Sequence, residues 1–96
     1  MSVYLIARIT IRDRTEYAKY EAGFMEIFTG TGGEMLSVDE APEVLEGAWA
    51  CTRTVLARFP SEAAALGWYN SDAYQKLARH RFNASDGEVV LVKGMG

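Results

Sequence analysis

A chain of 96 residues, 49% hydrophobic and 24% charged, has the composition of one globular domain with a thin core of its own. Its 10 basic and 13 acidic side chains are interspersed and leave a net charge of −3, which excludes the clustered basic face that nucleic-acid backbones require. A single cysteine, Cys51, excludes an internal disulfide framework and fits a reducing cytoplasm, and the apolar N-terminal run is too short to span a membrane.

In chain order, "VYLIARITI" places Val3, Leu5, Ala7, Ile9 and Ile11 on one apolar face. Tyr4, Ile6, Arg8 and Thr10 fall on a mixed face, the period of a strand half-buried in a core. Asp13, with Glu16 three residues on, caps a helix whose apolar stripe runs Tyr17, Tyr20, Phe24, Ile27 and Phe28. "GTGG", Gly30 to Gly33, ends that helix because glycine tolerates the left-handed backbone of a C-cap. "EMLSV" is a second strand, followed by a long acidic connection from Asp39 to Cys51. "TRTVLARF" is a third strand, ended by Pro60, with Ser61 capping the next helix. That helix breaks after Trp68 and Tyr69. Ser71 re-caps it, the stripe resumes through Tyr74, Leu77 and Arg81, and Trp68 is expected to fill volume beyond the sheet edge. "EVVLVKG" is a fourth strand.

The order β-α-β-β-α-β predicts a ferredoxin-like α+β domain over residues 1–96, an antiparallel sheet with its helices on one face. The first and third strands then lie side by side in the centre, with Val55, Ala57 and Phe59 sharing the covered face. The uncovered face carries Tyr4, Ile6, Arg8, Thr10, Thr54, Leu56 and Arg58, too apolar for water and too polar for a closed core. Two copies stacking these faces as a homodimer resolve the conflict.

The stretch from Phe59-Pro60-Ser61 through "WYNS", Tyr74, Arg81 and "LVKG" resembles the small proteins called domain-of-unknown-function family 1330. "YLIARITIRD" at the start and "VLEG" in the connection extend the resemblance over nearly the whole chain. It implies a dimeric α/β barrel, an architecture shared with cofactor-free antibiotic-biosynthesis monooxygenases, muconolactone isomerase and chlorite dismutase. It implies none of their activities, since function resides in a site and not in a fold.

His80 is the only histidine, a candidate general base or else a residue on the solvated flank of its helix. Arg81 falls on the apolar stripe and needs acceptors; it could hold a ligand carboxylate, or tie its helix to a carbonyl or to Glu46. Arg8 and Arg58 share the dimer-facing side, where they suit ion pairs across the interface or an anion between subunits. Tyr4, Tyr17, Tyr20, Trp49, Trp68 and Tyr69 could line a gap between sheet and helices, or could be plain core. Asp39, Glu40, Glu43 and Glu46 lack EF-hand spacing, and no phosphate loop, zinc spacing or catalytic-triad signature occurs, so no metal or cofactor is expected.

The reading is a small-molecule pocket between sheet and helices for an aromatic or carboxylate ligand, with Arg81, Arg8, Tyr4, Tyr20 and Trp68 as binding residues. The alternatives are a cofactor-independent monooxygenase or isomerase with His80 moving protons, and a dimer without a ligand.

Overall fold

The computed structural model describes residues 1–96. Its elements are β1 (Val3–Ile11), α1 (Arg14–Phe28), β2 (Glu34–Asp39), β3 (Arg53–Phe59), α2 (Glu62–Tyr69), α3 (Asp72–Ala84) and β4 (Ser85–Lys93). The four strands form one antiparallel sheet in the order β2-β3-β1-β4, the ferredoxin-like arrangement with its second helical segment split in two.

β1 pairs on both edges. Val3, Leu5, Ala7 and Ile9 are buried beneath the helices, and their neighbours on β3 are Phe59, Ala57, Val55 and Arg53. On the other edge Leu5 faces Leu91, Ala7 faces Val89 and Ile9 faces Gly87. β2 is an edge strand with a bulge between Met35 and Ser37, which leaves Leu36 out of the ladder and turns both Met35 and Val38 to the helix side.

The helix ends follow the capping chemistry of the sequence. The Asp13 carboxylate accepts from the Glu16 N–H at 3.1 Å, and Ser61 accepts from the Ala64 N–H at 3.1 Å. Ser71 serves two helices at once. Its hydroxyl donates to the Trp68 carbonyl at 2.8 Å, closing α2, and accepts from the Tyr74 N–H at 3.2 Å, opening α3. The break lets α3 turn back alongside α1. Trp68 does not lie beyond the sheet edge; it packs over the end of β3, with its ring 5.5 Å from Phe59 and 5.7 Å from Phe28. β4 begins at Ser85 directly after α3, earlier than the apolar run suggests. Ser85 and Asp86 extend the ladder opposite Ile11 and Thr10, and the Ala84 carbonyl accepts from the N–H groups of Arg12 and Asp13.

The molecule measures 34 × 32 × 16 Å, one helical layer on one sheet, so the second sheet face is at the surface. That face carries Ile6 and Leu56, half-buried, with Val90 and Val92 exposed. Trp49 of the long connection folds onto it, donating to Thr54 Oγ1 at 2.8 Å and lying under the Arg8 guanidinium. Arg8 and Arg58 pair within the chain, with Glu88 and Glu34, where ion pairs across an interface were expected. The register explains it: Glu88 sits opposite Arg8, and Glu34 opposite Arg58.

Gly33 is boxed in by the aromatic core. A Cβ there would come within 2.6 Å of Phe28 Cζ and 2.8 Å of Phe59 Cε1. Gly33→Ala is therefore expected to destabilise the fold by about 1–3 kcal/mol, seen as a lower urea midpoint. An unchanged midpoint would show that both rings yield freely.

Candidate functional site

A cavity of about 310 Å³ lies between the helix-facing side of the sheet and the three helices. Sequence dictates its existence. Ala7 and Ala57 put only methyl groups at the sheet centre, while Tyr17, Tyr20, Phe24 and Phe28 along one stripe of α1 hold that helix away from it. Sixteen of its 19 lining residues are hydrophobic.

The cavity has two unlike ends. Near Leu5 and Ala57 it is closed by rings: Phe24 and Phe28 stack on each other, Trp68 packs edge-on to both, and Trp68 and Tyr74 are tilted with centroids 4.2 Å apart. Near Ile9 it is polar. Arg53 and Gly87 flank Ile9 in the ladder, and Arg81 approaches from α3, its Nη1 so near Gly87 that an added Cβ would stand 3.2 Å away.

Arg81 is 5% exposed and makes no ion pair, with Glu46 or any other carboxylate. Its Nε is buried without an acceptor. The guanidinium lies 5.8 Å from the Tyr20 ring centre and 4.8 Å from that of Phe82. Its polar neighbours are the hydroxyls of Tyr74 and Tyr20, which bond to each other at 2.8 Å. Burial works against the Arg81 charge, but the oxygens of Tyr74 and Tyr20 more than offset it, so its pKa stands above the ordinary arginine value. Burial, reinforced by Tyr74, pushes the Tyr20 hydroxyl far above the usual tyrosine range; burial also raises Tyr17, against the opposing pull of Arg53. These phenols stay protonated and act as hydrogen-bond donors, never as bases, near neutral pH.

Arg53 is the contrasting case. Its side chain is 14% exposed and held by Glu21 at 2.7 Å and by Glu40 at 2.8 Å, with Arg14 also on Glu40 at 2.9 Å. Its cation lies 5.1 Å from the Tyr17 ring centre. Arg14, and then Arg53, hold the Glu40 carboxyl below its usual range.

Of the residues predicted from sequence, the fold brings Arg81, Tyr20 and Trp68 together on this cavity. It does not bring Arg8, Tyr4 or Trp49, which lie on the opposite face of the sheet, as their register with Thr54, Arg58 and Glu88 requires. His80 is outside as well. With about 3.6 residues per turn, an inward Arg81 turns its predecessor to the flank of α3. There His80 Nδ1 meets Glu16 Oε2 at 2.6 Å on the seam with α1, and that bond, followed by Lys19, keeps the Glu16 carboxyl below its usual range. Two charged cavity residues were missed, Arg53 and Glu21. Both had a signal: Arg53 shares strand parity with Val55, Ala57 and Phe59, and Glu21 stands four residues after Tyr17.

An antiparallel four-stranded sheet with helices on one face defines a ferredoxin-like α+β fold, the fold also of proteins described as putative antibiotic biosynthesis monooxygenases. The chain belongs to the family described as domain of unknown function (DUF1330), whose pattern matches residues 2–95. Among curated proteins none matches the chain. Among solved structures it is similar to RPA0582, a protein of unknown function from Rhodopseudomonas palustris, with 18% identity, a TM-score of 0.80, and 99% of this chain and 83% of that chain covered. A dimeric ferredoxin-like protein of unknown function from Jannaschia sp. CCS1 shares 12% identity at a TM-score of 0.74, over 98% of this chain and 100% of that one. SnoaB, a cofactor-independent oxygenase from Streptomyces nogalater, shares 14% identity at a TM-score of 0.71, over 99% of this chain and 94% of that one. At these identities the likeness establishes the fold alone. No helix is long and apolar enough to cross a membrane.

The buried tyrosine pair gives a test of the polar end. Tyr20→Phe and Tyr74→Phe each leave one buried hydroxyl without its partner and are expected to cost about 1–2 kcal/mol. The double substitution should cost little more than either single one. Strictly additive losses in urea melts would show that the two hydroxyls are not coupled.

Proposed function

We propose that the protein binds a small organic anion in this cavity, with Arg81 as the anchor and Tyr20 and Trp68 among its walls. The observation that carries the reading is a guanidinium, 5% exposed, facing an apolar cavity with no carboxylate of its own. A buried guanidinium without a counter-ion is a ready partner for a ligand carboxylate or other oxyanion, which would bind it through charge-assisted hydrogen bonds. A thermal-shift panel of aromatic and aliphatic carboxylic acids tests it. A ligand at a hundredfold excess over its Kd should add about 2.7 kcal/mol and raise Tm by several degrees. Arg81→Gln should abolish the shift and His80→Ala should leave it intact. A flat panel on folded protein overturns the proposal.

A cofactor-independent oxygenase or isomerase is the second reading, and the likeness to SnoaB supports it. Because Tyr17 and Tyr20 stay protonated and His80 lies outside, catalysis here would need a substrate that ionises unaided, with Arg81 holding its oxyanion. Loss of a bound ligand on incubation in air separates this reading from simple binding.

The same proposal includes a homodimer formed by stacking the open sheet faces, and a cytoplasmic setting in which the free thiol of Cys51 stays reduced. Exposed Val90 and Val92 beside Ile6 and Leu56, together with the dimeric neighbour from Jannaschia, support the pairing. Sedimentation should give twice the 10.6 kDa chain mass, and Val90→Arg should give the monomer. A monomeric wild type would overturn the dimer without touching the cavity.

A further inference from the structure

Building on the anion site just proposed, we infer that its ligand is a monoanionic aromatic acid of about two fused rings, and that Ala7 and Ala57 set this size. Volume gives the first argument. A dry apolar cavity of about 150 Å³ accommodates one benzene. This one, at about 310 Å³, has room for roughly twice that carbon framework. A single-ring acid would leave part of the apolar end empty.

The second argument is charge. Two arginines reach the polar end, and only Arg81 lacks a carboxylate partner, since Arg53 already has Glu21 at 2.7 Å and Glu40 at 2.8 Å. One negative charge completes the site. A second carboxylate has two places to go, and both are unfavourable. Beside Arg53 it competes with carboxylates already in contact, and at the opposite end it is buried among Phe24, Phe28 and Trp68 with no cation in reach.

The third argument is shape. The rings at the apolar end stack, tilt and pack edge-on against one another, which suits a flat π-system more than a flexible chain. Beneath them Ala7 and Ala57, 3% and 2% exposed, are the smallest side chains of a sheet face that also carries Leu5, Val55 and Val89. A larger side chain at either position would fill the space assigned to the second ring while leaving Arg81 and the polar end unchanged.

Titration calorimetry on the full chain tests this with naphthoate, benzoate, naphthalene dicarboxylate and an open-chain acid of similar carbon count. Naphthoate is expected to bind about tenfold tighter than benzoate and tighter than the other two. Ala57→Val should erase the advantage of naphthoate and retain benzoate. If that variant fails to fold, the wild-type ligand series decides alone. Benzoate as tight as naphthoate, or the dicarboxylate or open-chain acid tightest, overturns the inference and leaves the Arg81 site standing. No binding by any of the four overturns both.

Discussion

Strand β1 has a neighbour on each edge, so its two-residue alternation is imposed on the whole sheet. Val3, Leu5, Ala7 and Ile9 point one way, and the ladder forces Phe59, Ala57, Val55 and Arg53 to point with them. A one-residue slip would exchange the cavity floor with the Tyr4, Ile6 and Arg8 face. Everything else hangs on that register. It puts alanines under α1, brings Arg53 inside with Ile9, and leaves Ile6, Leu56, Val90 and Val92 on a face that the single helical layer does not cover.

Within the layer so formed, two arginines a short way apart solve the same electrostatic problem differently. Arg53 is fixed by Glu21 and Glu40, which tie β3 to α1 and to the long connection. It is a structural cation whose charge is spent inside the chain. Arg81 sits in the last turn of α3, where the partial negative charge of the helix end favours a cation. Beyond that and two tyrosine hydroxyls it has little to face. An apolar side chain of similar volume would suit stability better. Keeping a cation there is a local sacrifice of the sort that binding sites exhibit, and burial holds the neighbouring Tyr20 phenol protonated.

Much of this was written in the sequence at the level of period and caps. The alternation of β1, the stripe of α1 and the serine caps at Ser61 and Ser71 all appear where pattern places them, because each is decided by neighbours within a few residues. Arg81 was legible for the same reason: it falls in the stripe of Tyr74. Parity also separated Arg8 and Tyr4 from the cavity, so grouping them with Arg81 set aside a rule the sequence had supplied. What could not be read depends on contacts across the chain. The bulge at Leu36, which turns Met35 and Val38 to one side, is a property of how β2 meets β3. The Glu16 partner of His80 and the position of Trp68 over Phe59 follow from how helices settle against each other and the sheet.

The pairing of β1 with β4 also has a kinetic side. Val3 lies opposite Lys93 and Ile11 opposite Ser85, so the most central strand completes its ladder with residues from the far end of the sequence. Closing so long a loop carries its entropic cost before the contacts that reward it have formed. Until α3 has formed and handed the chain straight into β4, β1 retains an open edge along its most apolar segment. Assembly of this small sheet is therefore slower than that of a helical bundle of the same length, and the interval before β4 docks leaves the β1 edge open to strand-to-strand pairing with other chains.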